Sequence, residues 1–151
     1  MRTDRNEIRI VAPEAGEVLD IFGGAMIVKA DGAGIPLFLA EHPVPPGYFV
    51  PPHRHDRDDE TFYILEGELT LIGAQGESKV GPGTLVHLPH GSLHGYRNDT
   101  DGTVRFLVIC QPGLQAVEMF RHFDRAGRAA PAGLPPAEIV GIAAQYGVQV
   151  G

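Results

Sequence analysis

Four side chains that bind divalent metals well stand in two short stretches of this chain. His53, His55 and Glu60 fall within eight residues, and His94 lies in a second histidine-bearing stretch. Imidazole nitrogen and carboxylate oxygen suit one borderline divalent transition metal: Fe, Mn, Ni, Co, Cu or Zn. Four such ligands on a five- or six-coordinate ion leave positions open for water, dioxygen or a substrate oxygen. That is the arrangement metal-assisted catalysis needs. A closed structural zinc site more often uses cysteine, and Cys110 is the single cysteine here.

The spacing constrains the elements that must present these groups. His53 and His55 are two apart, so on a strand both imidazoles leave the same face. Pro51 and Pro52 just before them fit a strand edge rather than a helix. Glu60, five residues beyond His55, has the opposite parity and reaches that face only if the chain breaks phase between them. Asp56, Arg57, Asp58 and Asp59 supply the break; four charged, poor strand formers are expected as a solvated turn. A new strand then starts at Glu60. His94 must arrive from a separate hairpin, whose turn is marked by Pro89 and Gly91.

Strand-like segments recur along the chain at 18–22, 25–30, 36–42, 48–55, 60–65, 68–72, 77–80, 84–88, 93–98 and 103–110. Gly- and Asp-rich turns such as 31–34, 73–76 and 98–102 separate them. About ten hairpin-connected strands imply an all-β sandwich or barrel of jelly-roll type. The tail differs. Residues 114–123 carry an apolar stripe at helical spacing, and Pro135 and Pro136 open a second helical segment through Tyr146, with Gly147 as its stop. Residues 127–135, rich in Ala, Gly and Pro, read as the linker. The expected organisation is a barrel with its N-terminal strands over 1–112 and a helical tail over 113–151 packed on it.

Gly47, His53, His55, Glu60 and Gly67 read G-x5-H-x-H-x4-E-x6-G; Gly83, Pro89, Gly91, His94 and Asn98 read G-x5-P-x-G-x2-H-x3-N. This resembles the two signature motifs of the cupin superfamily, with no departure at the ten typed positions. The resemblance covers roughly residues 36–112 and implies a double-stranded β-helix with the metal inside, held by His53, His55, Glu60 and His94. The segment Pro45–Leu69 is similar to small single-domain bacterial cupins resembling quercetin dioxygenases. That likeness implies a metal-dependent dioxygenase acting on a small organic substrate (aromatic, flavonoid-like or dicarbonyl), with Glu60 as both ligand and base. An isomerase or decarboxylase on the same barrel, or a non-catalytic small-molecule-binding cupin, are the alternatives, because fold does not choose among chemistries. Cupins commonly pair two chains over their strand edges, so a homodimer is expected.

Phe62 and Ile64 share the parity of Glu60, and Tyr96 that of His94, so these three are candidates for an apolar pocket wall; filling the barrel is the plainer role. Tyr63 and Leu65 should face the other way. His87 and His90 flank the second motif, His90 in a solvated turn, while His42 and His122 read as ordinary surface or packing histidines. Cys110 ends an apolar run and reads as a core thiol. A chain of 151 residues with formal net charge -7 suits one domain and argues against nucleic acid, which demands a basic face. No run of eighteen apolar residues predicts a membrane span. The charged start and single cysteine predict a cytoplasmic protein without a signal peptide.

Overall fold

The computed structural model describes residues 6–113 and 115–151. Leu114, the expected start of the helical stripe, lies outside the described residues. Ten strands run through the barrel: β1 Glu17–Ile21, β2 Gly24–Asp31, β3 Phe38–Val44, β4 Phe49–His55, β5 Asp59–Glu66, β6 Leu69–Gly73, β7 Gly76–Val80, β8 Leu85–Leu88, β9 His94–Arg97 and β10 Val104–Gln111. Two helices follow, α1 Ala116–Arg128 and α2 Pro136–Gln145, and then a short strand, β11 Val148–Val150. The strands form two antiparallel sheets, a larger one ordered β1-β2-β3-β10-β5-β8 and a smaller one ordered β11-β4-β9-β6-β7.

The alternation of buried and half-buried residues along β2, β3 and β10 shows each strand giving one face to the interior. Phe38, Phe62, Phe106, Ile64, Leu69, Val104 and Val108 fill the space between the sheets. Tyr63 is on the opposite face of β5 from Phe62 and is exposed.

β4 belongs to the smaller sheet and β5 to the larger, so the chain crosses the barrel between His55 and Asp59. That crossing is the phase break the spacing of Glu60 required. The turn is less solvated than its four charges suggest. Asp56 and Arg57 are exposed, but Asp58 is buried and its Oδ1 accepts the Gly113 N–H at 2.8 Å. Asp59 already belongs to β5 and accepts from both the backbone N–H and Nδ1 of His90, at 2.9 and 2.7 Å. At its start the Asp56 N–H donates to the Gly147 carbonyl at 2.8 Å, so the turn is fastened at both ends to neighbouring segments.

The first helix of the tail is longer, and the tail less purely helical, than the sequence implies. α1 runs through Gly127, placed in the linker by composition, to Arg128, and the Ala129 N–H closes its last turn on the Arg125 carbonyl. Its buried face, including Val117, Phe120 and Phe123, packs against β1, where the Asp20 N–H donates to Asp124 Oδ1 at 2.8 Å. After Gly147, at φ +73°, the chain turns back and β11 pairs with β4: Val148 lies opposite His55 and Val150 opposite His53. Three residues are too few to announce a strand by periodicity. The tail therefore covers both the β1 edge and the β4 edge.

His42 proves to be a fully buried core residue. Its Nδ1–H donates to the Ala25 carbonyl at 2.7 Å, and Tyr48, Tyr96 and Phe106 pack edge-on around the ring. Burial holds its pKa down at about 4, against the pull of the Ala25 bond and the Glu60 charge. The unfolded chain binds this proton near pH 6.5 and the folded chain only near 4, so acid favours unfolding across that window. A drop from 6.5 to about 4 corresponds to roughly 3 kcal/mol. In metal-free protein, His42→Gln is expected to be less stable than wild type at pH 7, with the difference narrowing as pH falls towards 4. Urea denaturation across that range checks this; a gap that stays constant would show that His42 does not titrate in this window.

Candidate metal centre

The barrel interior brings together the four residues singled out by spacing. His53 and His55 come from β4, His94 from the adjacent β9 as the cross-strand partner of His53, and Glu60 from β5 in the opposite sheet. One donor atom from each lies within 4.8 Å of every other. His55 Nε2 is 3.0 Å from Glu60 Oε2 and 3.1 Å from His53 Nε2, and His94 Nε2 is 3.6 Å from Glu60 Oε2. Two bonds of about 2.1 Å at right angles hold their donor atoms about 3.0 Å apart. These spacings fit adjacent ligands on one ion.

The tautomers point the same way. A carbonyl only accepts, so Nδ1 of His53, 2.9 Å from the Pro51 carbonyl, carries that ring's proton, as does Nδ1 of His94 against the Ser92 carbonyl at 3.3 Å. Each Nε2 is left with a lone pair facing the cluster. That of His94 is buried without a hydrogen-bond partner, since 3.6 Å to a carboxylate is too long. A buried lone pair without a donor is costly unless an electrophile takes it.

Residues 41–110 match the family described as a cupin domain. The stretch from β3 to β10 is a cupin domain. Among curated proteins, the chain is similar to quercetin 2,3-dioxygenase of Bacillus subtilis (36% identical over 70 residues, 46% of this chain and 20% of that protein) and to endoribonuclease YbeY of Myxococcus xanthus (28% over 107 residues, 71% and 35%). The cupin thus spans about a third or less of these two relatives. Among solved structures, a sugar phosphate isomerase of the cupin superfamily from Silicibacter pomeroyi is 27% identical with a TM-score of 0.55, covering 73% of this chain and 74% of that one.

Electrostatics inside this cupin hold Glu60 and His53 in ligand-ready states, while His55 carries a proton that a metal would have to displace. Burial would raise the Glu60 pKa, but the hydrogen bond from His55 and the nearby imidazoles hold it well below the usual carboxylate range, so it stays ionised. Burial lowers His53 to about 4, helped by His94, leaving it neutral. At His55 burial also opposes protonation, but Glu60 outweighs it and holds the pKa above the ordinary value.

The other candidates divide. Tyr96 lines a cavity of about 80 Å³ that reaches His53, His55 and Glu60. Phe62 and Ile64 do not line it; both are fully buried in the core, and the Phe62 ring packs edge-on to Tyr96 with centroids 5.5 Å apart. Phe62 bears on the cavity only through that contact with Tyr96. His87 and His90 sit on the outside, His87 beside Thr61 and His90 on Asp59. His122 meets the Tyr146 hydroxyl. Burial and then the Glu60 charge push the Cys110 thiol pKa up, which keeps it an inert core group.

Sequence reasoning missed the cover. Met119, Phe120 and Phe123 of α1, Ile139 and Ala143 of α2, and Val148 and Val150 of β11 line the same cavity. The α1 stripe was visible as a pattern, but nothing local says where it docks.

Gly95, next to His94, was also overlooked. Pro51 and Pro52 have no N–H to give the β4–β9 ladder, and the pairing slips by one residue between Val50 and His53. The resulting bulge presses on Gly95, where an added Cβ would lie 2.6 Å from the Val50 carbonyl oxygen and 2.8 Å from the Pro52 nitrogen. Only glycine lets the two histidine strands approach this closely. Gly95→Ala is therefore expected to weaken cobalt binding by roughly 10- to 100-fold while keeping a near-native circular dichroism spectrum, a loss of the size seen when groups that orient metal ligands are changed. A competition titration against a chelator measures it. Unchanged affinity would mean that this contact does not set the ligand geometry.

Proposed function

We propose that this cupin is a metal-dependent dioxygenase acting on a small organic molecule, with one divalent transition metal held by His53, His55, Glu60 and His94. The observation that carries the metal assignment is the buried, unpartnered lone pair of His94 Nε2 in a cluster whose other three donors lie within 4.8 Å. The 36% identity with quercetin 2,3-dioxygenase supports the reaction type.

An ion bound there supplies Lewis acidity and, if redox-active, a path for electrons between substrate and dioxygen. The chain supplies the rest. His53 and His94 are oriented by the Pro51 and Ser92 carbonyls, so their lone pairs are aimed before anything binds. Glu60 is ionised and joined to His55 through Oε2, which leaves Oε1 as the acceptor for a proton from the substrate. Tyr96 and the apolar cover keep water from the reacting groups.

The likeness to a sugar phosphate isomerase favours a second reading, in which the same centre shifts a proton without using oxygen. Oxygen consumption separates the two. The expected outcome is one metal per chain by elemental analysis and dioxygen uptake that requires both metal and substrate. Glu60→Gln should keep part of the metal and lose at least roughly 100-fold in turnover, the range of a removed general base. Full turnover in Glu60→Gln would remove Glu60 from the role of base, and metal-dependent turnover without oxygen uptake would select the isomerase reading.

A further inference from the structure

The two sheets leave two open sides between them. The tail closes the side at β1 and β4; on the other, β7 ends the smaller sheet and β8 ends the larger without pairing to each other. Between these free edges lies a groove of about 800 Å³, within the roughly 300–1,000 Å³ of sites for small organic ligands. Leu71, Val80, Val86, Leu88 and Leu93 give it an apolar lining. An apolar cleft rimmed by polar groups is the form a ligand groove takes. The ladders give it a direction. Gly73 lies opposite His94 on β9 and Val80 opposite Leu69, so the β6–β7 tip and Leu93 mark one end, and Val80 with Val86 mark the other. Gly76 to Val80 spans roughly 13 Å at the rise of a strand. Arg54 stands at the tip end, next in β4 to His53, the cross-strand partner of His94.

Charge selects the ligand. Among the described residues one carboxylate lines the groove, that of Glu77, and both its oxygens already accept from the Arg97 guanidinium, at 3.2 and 3.1 Å. The Ser92 hydroxyl is likewise engaged, donating to the Pro89 carbonyl at 2.6 Å. Arg54 is half-buried and forms no ion pair among the described residues, so its guanidinium is the uncompensated charge of the groove. Its planar fork matches the oxygens of a carboxylate or sulfonate. A phosphate ester, with nearly two charges, would leave one of them without a cationic partner. The edges themselves argue against an extended peptide. β7 and β8 are five and four residues long, β7 carries Glu77 and Lys79, and Pro82 and Pro89 flank β8. Short, charged and proline-flanked edges are poor templates for an added strand.

We infer that the groove between β7 and β8 is a second ligand site, separate from the metal centre, and that it takes an organic monoanion. A carboxylate or sulfonate sits on Arg54, and an apolar body, ring or chain, extends over Leu71 and Leu88 towards Val80 and Val86. His94 borders the groove, but it is 3% exposed and its Nε2 is buried, so the groove does not open onto the donor atoms of the cluster. Binding there needs no metal.

A matched pair of fluorescent probes tests the inference. 8-Anilinonaphthalene-1-sulfonate and N-phenyl-1-naphthylamine share one apolar body, and the first alone carries a charge. Each is titrated into the untagged full chain, as purified and again after dialysis against EDTA, and amide chemical shifts locate the bound probe. The expected result is saturable binding of the sulfonate at one site, equal with and without metal, with shifts confined to β6–β9 and the loops between them. Arg54→Gln should weaken the sulfonate by about tenfold, the size of a lost charge-assisted hydrogen bond, and leave the uncharged amine within about twofold. Ser78→Glu, which sets a carboxylate on the exposed wall of the groove, should weaken the sulfonate by a further independent route, again by about tenfold. Several outcomes overturn the inference: no saturable binding of the sulfonate, unchanged affinity in either variant, or equal loss of both probes in Arg54→Gln. Shifts in α1, α2 or β11 would put the probe under the tail, and a requirement for metal would put the anion on the cluster; either overturns it too. None of these outcomes counts against the proposed dioxygenase, whose own test is oxygen uptake.

Discussion

An ionised carboxylate buried at the centre of an apolar barrel is the constraint around which this molecule is arranged. Glu60 is 5% exposed, and among the described residues no lysine or arginine makes a hydrogen bond or ion pair with it. Its charge is tolerated because three imidazoles converge on it, one by a direct hydrogen bond. That convergence needs donors from both sheets. The smaller sheet gives three histidines on two neighbouring strands, and the larger gives the carboxylate from across the barrel. The crossing at Asp56–Asp58 joins the two contributions in one short segment, and Asp58, itself buried, fastens that crossing to the chain just before α1. The fold and the site are thus determined by the same few contacts.

Much of this was legible in the sequence because strand geometry is periodic. The His53–His55 pair, the need for a phase break before Glu60 and the separate origin of His94 all follow from parity and turn residues. The nature of the break was not legible. Four charged residues in a row look like a solvated turn, and composition does not distinguish that from a crossing between sheets in which Asp58 is drawn inside by the Gly113 N–H. Long-range partners of this kind lie outside any local pattern. The same applies to β11, three residues whose strand character exists only because β4 offers an edge beside His53 and His55. Gly127 misled for a related reason. Its weak helix propensity is outweighed by the packing of the apolar α1 face on β1.

The tail changes what the barrel can bind. A cupin barrel open at its mouth would expose the cluster to water, where charged ligands retain much of their hydration. Here α1, α2 and β11 close that side with methionine, phenylalanine and aliphatic groups, and β11 does so while hydrogen-bonded to the strand that carries two of the candidate ligands. Any displacement of the tail that also frees β11 therefore loosens the backbone behind His53 and His55. Cover and cluster are mechanically joined, so access to the cavity and the geometry of the donors are not independent properties.

Two buried imidazoles in this barrel have an Nε2 without a hydrogen-bond partner, and the contrast between them clarifies what such an atom means. Around His42 the neighbours are the rings of Tyr48, Tyr96 and Phe106, and among the described residues no second His or carboxylate donor is grouped with it; its lone pair is accommodated by packing, and burial keeps the ring neutral. Around His94 the neighbours are two further imidazoles and an ionised carboxylate, all presenting donor electrons to the same small volume. Donor electrons repel one another there, and the repulsion is relieved only by a proton or a cation. His55 Nε2 lies 3.0 Å from Glu60 and 3.1 Å from His53 Nε2, so its one proton serves those neighbours and leaves the lone pair of His94 unsatisfied. An orphaned lone pair becomes an argument for a metal when further ligand atoms crowd the same small volume, as they do at His94 and do not at His42 among the described residues.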